Sequence, residues 1–256
     1  FTTQISKFKG AQKSVVDDIL VREIKLEIYI NGKRFGALMA TPTDQEALAA
    51  GYLISENLIA SPEDIESVEL SDDTLSVRVK AKINKKRLEQ FDEEKVIISG
   101  CGRSSTANID PEAMAARLIK GEVKFHKDEI LRQMGQFYTQ CELYEMTGCV
   151  HTAKLFVSGE QFYIGEDIAQ HNTIDKAVGK AVLAGAQLQN SFLMVSGRLS
   201  SEMVAKAVMH SIPVLVSRTA PTSLGVVIAR KFNLTLCGFA RGENINVYSG
   251  AERIYE

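Results

Sequence analysis

At 256 residues, 45% of them hydrophobic, the chain is long enough to bury one sizeable core or two smaller domains that share an interface. A charged fraction of 24% and a net charge of −2 exclude any broad electrostatic pull toward nucleic acid or a membrane surface, so a polyanionic ligand has to be bound locally. No apolar run approaches the ~20 residues that span a bilayer, and Cys101, Cys141, Cys149 and Cys237 show no tight pair spacing. Reduced thiols in a cytoplasmic setting, with neither nucleic acid nor membrane as partner, are therefore expected.

In chain order, residues 1–22 mix charges with few apolar positions and read as a loose lead-in. From Glu23 the alternation Ile24, Leu26, Ile28, Ile30 predicts a half-buried strand, Asn31-Gly32 a hairpin turn and Arg34 to Thr41 the returning strand. Thr43 and Glu46 have capping-box spacing for a helix to about Leu58, with Ala47, Gly51, Ile54 and Leu58 as its inward stripe. Strands near Glu66 to Leu70 and Thr74 to Val79 complete a small α+β unit.

A charge-rich stretch from Lys80 to Lys95 precedes the apolar Val96-Ile97-Ile98 and then eight residues, Ser99 to Thr106, without a large apolar side chain. Cys101 lies there between two glycines, with Arg103 two residues on. An exposed thiol, its thiolate favoured by the nearby cation, and a turn cysteine with no chemistry both remain open on the residues alone.

Asp110-Pro111-Glu112 opens a helix to about Lys120. A longer helix from about Asp128 carries Ile130, Met134, Phe137, Cys141 and Tyr144 on one face, which makes Cys141 a core residue. His151 to Val157 and Gln161 to Ile164 read as a hairpin. Asn172, with Asp175 three residues later, reads as the cap of a helix whose inward face is Ile174, Ala177, Val178, Ala181 and Val182. Glu166, Asp167 and His171 then fall in the loop entering its first turn, where free N–H groups favour an anion.

Beyond it, short apolar runs at Phe192 to Val195, Ile212 to Val216 and Leu234 to Cys237 alternate with helices over Ser200 to His210 and Pro221 to Lys231, a β-α-β pattern for a largely parallel sheet. Right-handed crossovers place all three strand ends on one edge. Arg198, then Arg218 and Thr222, then Gly238, Phe239 and Arg241 follow those strands, a candidate phosphate nest. Cys237, within the third run, reads as core, and His126 and His210 as surface or helix-end residues. No Walker A or GxGxxG motif is present. Nor is a metal site expected, because Cys149, His151 and His171 lack zinc-ligand spacing.

The stretch from Gly165 resembles the fingerprint GEDxGRHNxxDK of the formate dehydrogenase accessory sulfurtransferase (FdhD/NarQ) family. It matches at Gly165, Glu166, Asp167, His171, Asn172, Asp175 and Lys176, with Ala169-Gln170 in place of Gly-Arg. The segments TPTDQEALAAGYLISENLI from Thr41, TGCVHTA from Thr147, SGRLSSEMVAKA from Ser196 and IPVLVSRTAPTSL from Ile212 resemble the same family in the same order.

The resemblance implies a small α+β N-terminal domain (1–98), a reactive-cysteine loop (99–110) and a three-layer, cytidine-deaminase-like α/β C-terminal domain (111–256). It implies that Cys101 accepts sulfur as a persulfide from a cysteine desulfurase and delivers it to the molybdenum or tungsten centre of a bis(molybdopterin guanine dinucleotide) cofactor bound for a formate dehydrogenase catalytic subunit. Arg103 would stabilise the thiolate. His151, Asp167, His171, Asn172, Arg198, Arg218, Thr222, Gly238, Phe239 and Arg241 would line the cofactor pocket, and the protein would be a homodimer. One departure matters: Ser104 stands where the family has its second cysteine. A non-catalytic cofactor-binding chaperone is therefore the alternative. Zinc deamination is a poorer fit, since the chain has neither His-x-Glu nor Pro-Cys-x-x-Cys.

Overall fold

The computed structural model describes residues 1–94, 117–121, 123–158 and 161–256. Cys101, Arg103, Ser104, the strand expected at 96–98 and the first part of the helix expected from Asp110 lie outside the described residues.

The N-terminal region differs from the loose lead-in expected. Strands β1 (Thr2–Lys9) and β2 (Gln12–Ile19) form an antiparallel hairpin around Gly10, which has φ +60°. Next comes a four-stranded sheet in the order β4-β3-β6-β5, built from β3 (Ile24–Ile30), β4 (Lys33–Ala40), β5 (Ile65–Leu70) and β6 (Ser76–Ala81). Asn31 and Gly32, both at positive φ, make the tight β3–β4 turn that their sequence demands. Between β4 and β5 runs α1 (Gln45–Ser55). The expected capping box is absent: Asp44, not Thr43, is the cap residue, in the left-handed region with no side-chain bond to the helix. Its carboxylate instead pairs with Lys180 at 2.7 Å. The charge-rich stretch becomes α2 (Lys85–Glu94).

The larger sheet has six strands in the order β13-β12-β11-β10-β8-β9. Its centre, β10 (Phe192–Val195), β11 (Val214–Ser217) and β12 (Thr235–Arg241), is parallel. Antiparallel partners flank it: β8 (His151–Ser158) and β9 (Gln161–Asp167) on one side, β13 (Asn244–Ser249) on the other. The sheet is therefore mixed, because the hairpin expected at 151–164 joins it as an edge.

The single long helix expected from Asp128 is divided into α3 (Lys127–Gly135) and α4 (Glu142–Thr147) by a turn in which Gln140 has φ +70°. Ile130, Met134, Phe137 and Cys141 are nevertheless all buried as their spacing predicted. Ile130, Met134 and Phe137 pack with Phe156, Phe192, Met194, Val214, Val216 and Cys237 on one face of the sheet. The other face carries α5 (Gln170–Leu183), α6 (Ser201–Met209) and α7 (Ser223–Lys231). A short pair, β7 (Phe125–His126) with β14 (Ile254–Tyr255), brings the C-terminus beside α3. No helix among the described residues is long and apolar enough to cross a membrane.

The two sheets do not have separate cores. One apolar cluster runs from Leu26, Ile28 and Val77 of the small sheet through Leu48 and Leu53 of α1 to Ile174, Ala177 and Val178 of α5 and on to Leu193 and Leu215. The helices α1 and α5 meet backbone to backbone. A methyl group at Gly51 would overlap the Asp175 carbonyl oxygen, and one at Gly179 would overlap the Ala47 carbonyl oxygen. Only glycine lets these two helices approach this closely.

Candidate functional site at the strand ends

The motif from Gly165 to Lys176 proves to be two things. Most of it is interior. The helix starts at Gln170 with Ala169 as its cap residue, so Asn172 lies inside the first turn instead of capping it. Asp167 Oδ1 accepts from the Ala169 N–H at 2.9 Å and so performs the capping from the end of β9.

Asp167, fully buried, also pairs with Lys176 at 2.7 Å and accepts from the backbone N–H and hydroxyl of Thr41 at 3.0 Å. Lys176 in turn donates to Thr41 Oγ1 at 2.7 Å, and Asn172 Nδ2 donates to Met39 O at 2.9 Å. Burial pushes the Lys176 ammonium down, and the Asp167 carboxylate partly opposes that shift.

A second buried pair, Asp175 with Lys206 at 2.7 Å, extends through Ser55, whose hydroxyl donates to Asp175 Oδ1 at 2.6 Å and lies 2.8 Å from His210 Nε2. His210 ends α6 as expected but is buried, not exposed, and burial holds its imidazole down to about 3. Through Met39, Thr41 and Ser55 these networks tie the end of β4 and α1 to the larger sheet and its helices. Glu166 is also structural: its carboxylate caps α4 by accepting from Leu143 N at 3.1 Å and Tyr144 N at 2.8 Å.

What remains of the motif at the surface is His171, and it faces the strand-end edge. Because β8 runs antiparallel to β10, the start of β8 lies beside the end of β10. The Ser196 hydroxyl accordingly sits 3.2 Å from His151 Nδ1 and accepts from Thr152 N at 3.1 Å.

Burial lowers the His151 pKa, and the positive fields of His171 and Arg198 lower it further. His151, His171 and Arg198 therefore form one cluster, with His151 favoured as the neutral base. Gln170 closes it by donating to Arg198 O at 2.9 Å. Glu202, in the first turn of α6, approaches His171 Nε2 to 2.8 Å as a charge contact. Sequence reasoning missed Glu202 and Gln170. The available signal for Glu202 was an acidic first-turn residue two places after the cap Ser200, which reads only as a partner of the helix dipole.

The remaining candidates occupy the same edge through other contacts. Arg218 follows β11, and its guanidinium lies 5.8 Å from the Tyr138 ring centre; Tyr138 stacks on Tyr144 at 4.1 Å. Thr222 caps α7 by accepting from Gly225 N at 3.1 Å, so its hydroxyl is committed to the helix start.

Strand β12 continues through Gly238, Phe239 and Arg241 instead of ending before them. A bulge interrupts its pairing with β13 between Gly238 and Arg241, and Phe239 has φ +52°. Phe239 is exposed, with the Arg241 guanidinium 5.9 Å from its ring centre. Gly238 is needed because a side chain there would press on Thr219 O at 2.8 Å, where the loop after β11 crosses the strand. Helices α5, α6 and α7 all begin at this edge, so the positive ends of their dipoles add to the potential of three arginines.

Among the described residues no cluster of three His, Cys, Asp or Glu side chains suits a metal ion. Cys141 and Cys237 are buried and both thiols are pushed up to about 12 by burial, which disfavours the thiolate at each; Cys149 is exposed.

Comparison with known proteins places the chain. The FdhD/NarQ family model matches residues 21–255. The chain belongs to this family. It is 40% identical over 238 residues to a sulfur carrier protein FdhD of Wolinella succinogenes, covering 93% of this chain and 83% of that one. It is 32% identical over 253 residues to a sulfur carrier protein FdhD of Listeria monocytogenes, covering 98% and 97%. A crystal structure from Desulfotalea psychrophila, described as that of a formate dehydrogenase accessory protein, superposes with a TM-score of 0.79 at 25% identity, over 100% of this chain and 99% of that one.

Proposed function

We propose that the chain carries sulfur for the maturation of a formate dehydrogenase, as the names of its relatives describe, with Cys101 as the carrying residue. The Cys101 thiolate would attack the outer sulfur of a persulfide on a cysteine desulfurase. One S–S bond forms, one breaks, the donor cysteine leaves as thiolate, and no external oxidant is required. A single cysteine suffices, so Ser104 does not block the step; it removes only a two-cysteine relay at that loop.

The observation that supports a phosphate-bearing client is the strand-end edge, where His151, His171 and Arg198 cluster and three helices begin. A bis(molybdopterin guanine dinucleotide) cofactor carries phosphates that such an edge suits, with Arg198, Arg218 and Arg241 as anion contacts and Phe239 as an exposed ring at its rim. Asp167 and Asn172 would act behind the surface, holding the first turn that presents His171. The sheet with helices on both faces is compatible with a cytidine-deaminase-like arrangement. The cysteine loop is proposed to reach over this edge.

The test is intact-protein mass spectrometry after incubation with a cysteine desulfurase and cysteine. A gain of one reducible sulfur atom in the wild type, absent in Cys101→Ala, is expected. Ser104 favours a second reading, a cofactor-binding chaperone without sulfur transfer, and absence of any gain with a competent desulfurase would make it the leading one.

A further inference from the structure

The β1–β2 hairpin precedes the residues matched by the family model and stands away from both cores. Among the described residues neither strand pairs with any other strand. Phe1, Phe8, Val15, Ile19 and Leu20 are all exposed, Val15 at 64%. A two-stranded sheet alone in water is marginal, and its free edges are templates for further pairing.

The register of the hairpin fixes what the free edge of β2 offers. Leu20 N donates to Phe1 O at 2.7 Å, and Phe1 and Leu20 lie opposite each other in the continuing register. Antiparallel strands alternate bonded and non-bonded pairs, so Thr3 with Asp18, Ile5 with Val16 and Lys7 with Ser14 exchange bonds. The N–H and C=O groups of Lys13, Val15 and Asp17 are left pointing outward.

We propose that β2 pairs antiparallel with β2 of a second copy of this chain, about a two-fold axis at Val15, giving a continuous four-stranded sheet. A two-fold axis perpendicular to a sheet sets a residue opposite itself. With Val15 facing its own copy, Lys13 faces the other copy's Asp17, and Asp17 faces its Lys13. All three are residues whose backbone groups point outward, and their side chains lie on one face.

The sequence Gln12-Lys-Ser-Val-Val-Asp-Asp-Ile19 is thus self-complementary in charge about Val15. Moving the axis to Val16 would set Lys13 against Ile19 and lose both ion pairs. Strand β1 carries Lys7 and Lys9 but no acid, so its edge has no equivalent register. The inference does not rest on the sulfur-carrier reading; it supplies a surface for the homodimer that the family resemblance implies.

Sedimentation velocity of the full chain over a concentration series tests it, with Lys13→Asp and Asp17→Lys as variants. Each reversal alone places like charges opposite one another twice and should raise the dimer dissociation constant about tenfold or more. The two variants mixed should form a heterodimer, since both pairs are then complementary, and the double variant should dimerise like the wild type. Unchanged thermal melting would show that the fold is intact in all of them. A wild type that stays monomeric throughout, single reversals that dimerise normally, or a mixture that forms no heterodimer would each overturn the proposal.

Discussion

Two sets of polar side chains, drawn in part from the same short motif, behave in opposite ways. Asp167, Lys176, Asp175 and Lys206 are buried and paired, and Asp167, Lys176 and Asp175 are hydrogen-bonded further. Arg198, Arg241 and His151 are exposed at the strand ends, and His171 is half-buried there beside Glu202. A buried ion whose bonds are all made inside the protein has no capacity left for a ligand, and its removal is felt as lost stability. A partly exposed cation beside helix starts has capacity to spare, and its removal is felt as lost affinity. The motif therefore serves both roles: its acids and Lys176 join the two sheets, and its histidine reaches the edge.

The largest effect is expected at the helix contact. Gly51→Val or Gly179→Val drives a side chain into the backbone of the opposing helix and should cost ~3 kcal/mol or more; low soluble yield and a collapsed melting transition would record it. A cooperative, wild-type melt would show that α1 and α5 are not in contact. Next, Asp175→Asn leaves Lys206 as a buried unpaired cation, for a loss of ~3–5 kcal/mol in urea unfolding. Pairing that change with Lys206→Met should recover much of it, and simple additivity would deny the pair.

The third expectation concerns acid. His210 stays neutral in the folded state down to about 3, whereas the unfolded chain takes up its proton near the ordinary value of 6.5. Between those values the unfolded state binds more protons, so stability is fully present above about 6.5 and falls as the pH drops toward 3, at ~1.4 kcal/mol per pH unit for one proton. His210→Asn should flatten this slope in pH-dependent urea titrations, and an unchanged slope would assign it to other groups. The smallest stability effect belongs to the edge itself: Arg198→Ala should shift unfolding by no more than ~0.5 kcal/mol, while weakening anion binding.

Much of this division was legible in the sequence, and the failures share a cause. The parallel strands, their helices and the edge they share followed from apolar runs of fixed period, and β10 was placed to the residue. Asn31-Gly32 marked its turn because only a few residue types accept positive φ there.

Hydrophobic period says which side chains are buried, not which polar ones are. Asp167 and Asn172 read as pocket residues since nothing in a single chain shows that Thr41 and Met39, more than a hundred positions away, supply their partners. The capping readings at Thr43 and Asn172 failed for the same reason, because Lys180 draws Asp44 away and Asp167 already caps α5 from β9. The burial of Cys141 survived a wrong helix boundary, since a turn between Gly135 and Glu142 still returns it to the same face.

The most direct measurement is calorimetric titration of GDP, a probe carrying the guanine and diphosphate groups of the proposed client, into the wild type and the Arg198→Ala/Arg218→Ala variant. An affinity lower by about tenfold or more is expected in the variant, since charge-assisted bonds are lost, with the melting temperature essentially unchanged. Equal affinity in the two proteins would contradict it: the strand-end edge would then not be the anion site.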